Sequence, residues 1–280
     1  MQSIAEVISS LPKHMKMDLT SNICDQHPKR INKPIYKIMF EGQEVCPICE
    51  SERKTEELSD VEDMKVKRAM NSRNYNTFNN QSVLTDTGLL EASFNVYETG
   101  EPDTETAINK KKALDALANY KKGETFNTWL TGVPGVGKSH LAMAILRNLN
   151  ELGEKEKSCL FVSIDEMLLR IRNSFDNKES RYTEYYFVDL LSKVDYLVLD
   201  DLGAETGGIG TKKTATDFTL RVLYAIANSR QNKSTIITSN LSRPELERMY
   251  DPKLVSRLMK DTYLIRFKVT TDKRIKNIEF

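Results

Sequence analysis

Apolar and polar positions follow two different periods along this chain, and the pattern changes character near residue 110. At the start, Ile4, Val7, Ile8 and Leu11 fall on one face at helical spacing. Ser3 with Glu6 forms a capping box, and Pro12 stops the helix. A helix over 3–11 is too short to stand alone, so its face is expected to pack on its own small domain or on a partner protein. Residues 50–68 are dense in charge of both signs, which suits a solvated helix or linker. From Asn74 to Asn109 there is no Lys or Arg, while six acids occur (Asp86, Glu91, Glu98, Glu101, Asp103 and Glu105). That shift marks a boundary zone of solvated surface.

From about residue 110 the spacing alternates between helix and strand. A helix is predicted over 110–122, ended by Gly123. A strand follows at 127–131, then a glycine-rich loop and a helix through about Leu152. A second strand fits 159–164, with Ser163 and Glu166 as the capping box of the next helix. Helix is predicted near 184–192, a buried strand at 196–200, helix near 215–230 and strand at 234–239. Ser242, Pro244 and Glu245 start a further helix, and a strand near 263–269 closes the pattern. Such alternation predicts an α/β fold: a mainly parallel sheet with helices on both faces. The organisation expected is a small N-terminal domain over 1–64, a linker and entry to the α/β domain over 65–109, and that domain over 110–280.

Composition narrows the partners rather than the fold. The net charge of +1 leaves no global field toward nucleic acid or membrane, so any nucleic-acid contact must come from a local patch. No apolar run approaches the ~20 residues that span a bilayer. The N-terminus lacks the basic start and long apolar core of a signal peptide, so the expected compartment is the cytoplasm.

The loop after the first α/β strand reads Gly132-Val-Pro-Gly-Val-Gly-Lys-Ser139, the G-x-x-x-x-G-K-S pattern. Glycines let successive backbone N–H groups turn inward around phosphates. The backbone of Gly132, Gly135, Val136 and Gly137, with His140 beside the loop, is therefore a candidate cradle for ATP. Lys138 offers a point charge to the β- and γ-phosphates, Ser139 offers a hydroxyl to Mg²⁺, and the following helix aims its positive end at the anion. The apolar strand Val194-Asp-Tyr-Leu-Val-Leu-Asp-Asp201 ends in two acids. Asp200 is the candidate to hold Mg²⁺ and Asp201 to orient or deprotonate water, with Glu205 a second candidate for the latter task. Asn240, at the end of 234–239, either senses the γ-phosphate or caps a turn. Arg257 stands among Arg243, Arg248, Lys253 and Lys260, either as an arginine finger for a neighbouring subunit's nucleotide or as a surface helix residue. No Asn-Lys-x-Asp occurs, which favours adenine over guanine.

Two further groups stand out. Cys24-Asp-Gln-His27 and Cys46-Pro-Ile-Cys49 form C-x₂-H and C-x₂-C pairs eighteen residues apart, the donor set of a tetrahedral Cys₃His zinc site. All four positions are protein ligands, so the site is expected to be structural and to supply folding energy to a domain with little core. Arg170, Arg172, Lys178, Arg181 and Lys193 are interspersed with Phe175, Tyr182, Tyr185, Tyr186 and Phe187, a pattern that suits stacking bases. Six acids in the same stretch make its net charge slightly negative, and composition favours an ordinary amphipathic helix pair.

The chain resembles the bacterial and phage helicase loaders of the DnaC/DnaI type, an AAA+ ATPase family. The resemblance is carried by residues 132–142, 198–205, 237–241 and 255–258, and the Cys/His cluster is similar to the zinc-binding domain of the DnaI branch. It implies an ATPase whose N-terminal domain binds the hexameric replicative helicase, which is loaded onto single-stranded DNA during replication initiation with ATP as a switch. It also implies that Asn240 is the first sensor, Arg257 the finger in self-association, and Arg274 a loose match to the second sensor. Forty residues follow Asn240, short for a full helical lid, so a reduced or absent lid is expected. The alternatives are a transposition helper ATPase of the IstB type, which shares the ATPase motifs, and a helicase-binding inhibitor or scaffold.

Overall fold

Five strands carry the apolar runs of the second half into one sheet. The structure, a computed structural model, describes residues 19–27, 29–30, 33–40, 42–70, 72–151, 157–206 and 214–274. The helix expected over 3–11 lies outside them. Two compact units are present, Met1–Met70 and Asn71–Phe280.

The first unit holds strands β1 (Leu19–Ile23), β2 (Lys29–Arg30), β3 (Lys33–Pro34), β4 (Tyr36–Phe40) and β5 (Gln43–Val45), then helix α1 (Pro47–Met70). β1, β4 and β5 form a small antiparallel sheet in that order, and β2 pairs with β3. Pro47 sits at the first position of α1, where its missing N–H is no loss. Arg53 pairs with Glu50 and Glu57 one turn away on either side. Among the described residues of this unit, only Cys24, Ile38 and Cys46 are buried apolar side chains. That is too little core to hold a fold of this size by burial alone.

The second unit contains α2 (Ser72–Gln81), α3 (Glu105–Lys121), β6 (Asn127–Thr131), α4 (Lys138–Glu151), β7 (Cys159–Ser163), α5 (Ile164–Asn173), α6 (Glu184–Lys193), β8 (Tyr196–Leu202), α7 (Asp217–Ser229), β9 (Ser234–Ser239), α8 (Arg243–Met249), α9 (Pro252–Leu258) and β10 (Thr262–Arg266). The sheet order is β10-β6-β9-β8-β7, all parallel. Both faces are covered, so the middle of each strand is apolar, as in Trp129-Leu130 of β6 and Ile236-Ile237 of β9. One face packs Trp129, Leu160, Leu197 and Ile237 against α5, α6 and α7 residues such as Met167, Phe187 and Val222. The other packs Leu130, Phe161, Val198 and Ile265 against Leu141, Ile145 and Leu146 of α4 and Leu117 of α3. Each such side chain contributes about 1.5–3 kcal/mol by leaving water.

Several element bounds differ from those the sequence predicts. Within 65–109, expected as linker and entry, the second compact unit begins at Asn71. Phe78, Ala92, Phe94 and Tyr97 belong to its core. Val83 also pairs with the outer edge of β7, its N–H donating to the Phe161 carbonyl (2.8 Å) and its carbonyl accepting from Ser163 (2.8 Å). The acids of this stretch are solvated as expected, Asp86, Glu91, Glu98, Glu101 and Asp103 being exposed, while the apolar residues between them face the core. Helix α3 likewise begins at Glu105, not 110, because Thr104 caps it through Ala107.

The capping box expected at Ser163 and Glu166 is absent: Ser163 ends β7 without a side-chain cap, its hydroxyl meets Thr85 (3.4 Å), and Glu166 pairs with Arg170 (2.7 Å). The box at Ser242 and Glu245 forms, Glu245 accepting from the Ser242 N–H (2.7 Å). The last strand stops at Arg266 rather than 269: the Phe267 N–H still reaches Thr131 O, but those of Lys268, Val269 and Thr270 turn to the Glu105 carboxylate. Among the described residues no helix follows β10, and none is long and apolar enough to cross a membrane.

Candidate functional site

Strand order brings the site together. β6 lies beside β9, and β9 beside β8, so the carboxyl ends of these three strands meet where the connections change direction across the sheet. The loop 132–137 leaves β6 there and enters α4 at Lys138. Gly135 (φ 76°) and Gly137 (φ 95°) adopt the left-handed region. A Cβ on Gly135 would fall 1.8 Å from Asp272 Oδ1, and one on Gly137 would fall 2.7 Å from the Tyr97 ring. Glycine is therefore required by approach as well as by dihedral. Val136 is fully buried, and its carbonyl accepts from the Tyr97 hydroxyl (3.3 Å).

Lys138 is folded back under the loop. Its Nζ donates to the carbonyls of Gly132 (2.8 Å) and Val133 (2.8 Å) and to Asn240 Oδ1 (2.7 Å). Burial lowers its ammonium to about 8, with Asp201 and Asp200 opposing the shift. Asn240 Nδ2 in turn donates to Asp201 Oδ1 (2.6 Å). Lysine, amide and carboxylate thus form one continuous chain across the ends of β6, β9 and β8.

The two acids are separated by a backbone irregularity that periodicity did not reveal. The β8–β9 register shifts between Leu199 and Leu202, and Asp201 takes φ 58°. Asp tolerates that region better than most residues, and such bulges re-aim side chains beside active sites. Thr238 pins the irregularity: its hydroxyl accepts from the Asp201 N–H (2.8 Å) and donates to Asp200 Oδ1 (2.7 Å). Asp200 is consequently buried beneath the site while Asp201 lines it. Burial raises the Asp200 carboxyl, against the hydroxyls of Thr238 and Ser139. Burial also raises Asp201, against Lys138. Thr238 was readable in principle, since period-two alternation puts it on the same face as Asn240. Thr238→Val should cost about 1–3 kcal/mol by leaving a buried N–H and a carboxyl short of a partner. Thermal denaturation checks this, and an unchanged midpoint would remove Thr238 from the role of pin.

The resulting cavity is about 370 Å³ and is lined by the loop, Lys138, Ser139, His140, Asp201, Asn240 and Arg274, with Leu89, Val96 and Tyr97 on another side. His140 Nε2 lies 2.8 Å from the Ser93 carbonyl, and its ring meets Tyr97 edge-on. Glu205 does not line the cavity; it bonds the Tyr250 hydroxyl and the Gly203 N–H. Arg257 also lies outside it, its guanidinium 4.7 Å from the Tyr224 ring centroid. In the aromatic and basic stretch, Phe187 is core, and Arg170 and Arg181 lie over Tyr182. Phe175 and Tyr185 stay exposed, at 60 % and 80 %.

In the first unit, ligand atoms of Cys24, His27, Cys46 and Cys49 all lie within 4.8 Å of one another. His27 Nδ1 is 3.2 Å from Cys49 Sγ and 3.9 Å from Cys24 Sγ, and the two sulfurs are 3.6 Å apart. The turn after β1 and the first turn of α1 supply the pairs, Cys46 accepting the Glu50 N–H (2.9 Å). The His27 N–H donates to Cys24 Sγ, and this backbone bond leads in lowering that thiol to about 6. Three sulfurs and one imidazole nitrogen at this spacing make a site that can hold a metal ion.

The family described as IstB-like ATP binding protein matches over residues 52–270. The uncharacterized protein YqaM of Bacillus subtilis (strain 168) is 30 % identical over 160 residues, which are 54 % of this chain and 46 % of that protein. This chain therefore spans less than half the length of that relative. The replicative helicase loader DnaC of Buchnera aphidicola subsp. Acyrthosiphon pisum (strain APS) is 29 % identical over 187 residues, 64 % of this chain and 69 % of the loader. A crystal structure of the DnaC helicase loader superposes with a TM-score of 0.52 at 23 % identity, covering 65 % of this chain and 100 % of that one. That last likeness is one of fold.

Proposed function

Since the chain belongs to the IstB-like ATP binding protein family, we propose that it uses ATP with Mg²⁺ to load a hexameric replicative DNA helicase onto single-stranded DNA in the cytoplasm. The observation that carries the ATPase reading is the chain Lys138–Asn240–Asp201 across three strand ends. Lys138 exchanges its loop carbonyls for the β- and γ-phosphates. Ser139 and Asp200 would hold Mg²⁺, which supplies positive charge to the transferring phosphoryl group. Asn240 orients Asp201, and Asp201 positions the attacking water and takes its proton. The Cys24, His27, Cys46 and Cys49 set fits Zn²⁺ as a closed, structural site.

Helicase loading rests on likeness to the DnaC loader and on the separate N-terminal unit, which we assign to helicase contact. The test is co-purification with a bacterial replicative helicase, with and without ATP, together with ATP hydrolysis measured with and without single-stranded DNA. Binding to a transposase instead of the helicase would favour the transposition helper, and helicase binding without hydrolysis would favour the inhibitor or scaffold. Phe175 and Tyr185, with Arg172 near the Phe218 ring, are the side chains we assign to single-stranded DNA.

Arg257 is assigned to the nucleotide of a neighbouring copy, and Arg274 to the triphosphate of its own. Arg257→Ala should leave ATP affinity unchanged and lower turnover by at least about tenfold. Adding ATP-binding-deficient Lys138→Ala protein, whose Arg257 is intact, should restore part of the Arg257→Ala turnover. No rescue in the mixture would count against a finger acting between copies.

A further inference from the structure

The segment after β10 has little to hold it. The Phe267 N–H donates to Thr131 O (2.8 Å), the last bond to the sheet. Lys268, Val269, Thr271 and Arg274 are exposed. Among the described residues, every hydrogen bond that ties 268–272 to the rest of the unit ends on one side chain, Glu105. Its carboxylate accepts from the N–H groups of Lys268 (2.6 Å), Val269 (3.1 Å) and Thr270 (2.8 Å), and from the Thr270 hydroxyl. Burial pushes the Glu105 carboxyl up, but these donors outweigh it and hold it below the usual range.

Beyond this anchor the segment crosses the phosphate loop. The Lys273 N–H donates to Gly135 O (3.1 Å), and Asp272 packs on Gly135. Lys273 Nζ reaches the Glu98 carbonyl and lies 4.4 Å from the Tyr97 ring centroid. Arg274 then enters the cavity wall, where its charge acts on Lys138 and Asp201. Glu105 itself is at the first turn of α3 and does not line the cavity.

We infer that Glu105 is a positioning residue for nucleotide retention: by gripping 268–270 it fixes a strap that presents Lys273 and Arg274 to the triphosphate, in the place a helical lid would take. This rests on the ATP reading above. Lys273 keeps its own bonds to Gly135 and Glu98, so releasing Glu105 frees 268–272 and loosens the placement of Arg274 in the cavity wall. A carboxylate that only stabilised the fold would affect melting temperature without acting through Arg274.

The test is the dissociation rate of ATP carrying a fluorescent ribose label, measured by stopped flow on the full chain. Glu105→Ala and Arg274→Ala should each speed release by about tenfold or more. The double variant should be no faster than the faster single one, because Glu105 acts through the strap. Glu105→Gln keeps one acceptor oxygen and should fall between wild type and Glu105→Ala. Should Glu105→Ala fail to fold, Glu105→Gln with Arg274→Ala completes the same cycle. Release within twofold of wild type in the Glu105 variants, or effects that multiply in the double variant, would overturn the inference. A wild-type chain that retains no labelled ATP would instead overturn the nucleotide reading.

Discussion

Lys138→Ala should abolish useful ATP retention, lowering affinity by roughly 10²- to 10³-fold, while leaving the fold at least as stable as before. The two halves of this expectation have one cause. Lys138 is 6 % exposed and burial lowers its ammonium to about 8, so the folded chain holds the charge at a cost. Its three acceptors, two loop carbonyls and the Asn240 amide oxygen, are neutral and do not repay that cost in full. The triphosphate is the partner that does. Isothermal titration with ATP checks the first half and differential scanning calorimetry the second. Wild-type affinity in the variant would remove Lys138 from the phosphate site. A large loss of melting temperature would show that the lysine serves the fold and not the ligand.

The second large effect is expected at the other end of the chain. Chelation of the metal, or Cys46→Ser, should unfold the first unit and leave ATP binding by the second. The reason is the scarcity of core: Ile38 and two of the cysteines are the buried apolar side chains among its described residues. Structural zinc contributes on the order of 10–16 kcal/mol in comparable small domains, more than such a core can replace. Circular dichroism and helicase pull-down should both lose signal on adding a chelator, and recover with Zn²⁺. Full retention of structure and of helicase contact in Cys46→Ser would break the ligand assignment.

Much of the frame was legible because its signals are local. Glycine spacing in 132–139, an apolar run ended by two acids and a strand ended by Asn240 can each be read within a few residues. Tetrahedral donor spacing in the Cys/His pairs is equally local. What escaped depends on partners far along the chain. The Asp201 irregularity needs Thr238, and Glu105 needs the amides of 268–270. The stretch 71–97 looked like linker because its polar residues outnumber the few aromatic ones that bury. At Ser163 a correct local motif lost to tertiary context, because the strand runs directly into the helix and its hydroxyl turns to Thr85. Sequence put Asp201 ahead of Glu205 for orienting water without a contact to decide it; the Tyr250 contact that occupies Glu205 is again long-range.

The placement of β6 has a consequence for how the protein comes into being on the ribosome. Trp129, at its centre, pairs with Ile237 on one side and Leu264 on the other. The earliest strand of the sheet to be synthesised therefore waits for the two latest, while β7, β8 and β9 assemble beside one another first. Nascent chains lacking β9 hold a complete phosphate-loop sequence whose strand has no sheet partner, so ATP recognition waits for strands synthesised long after the loop.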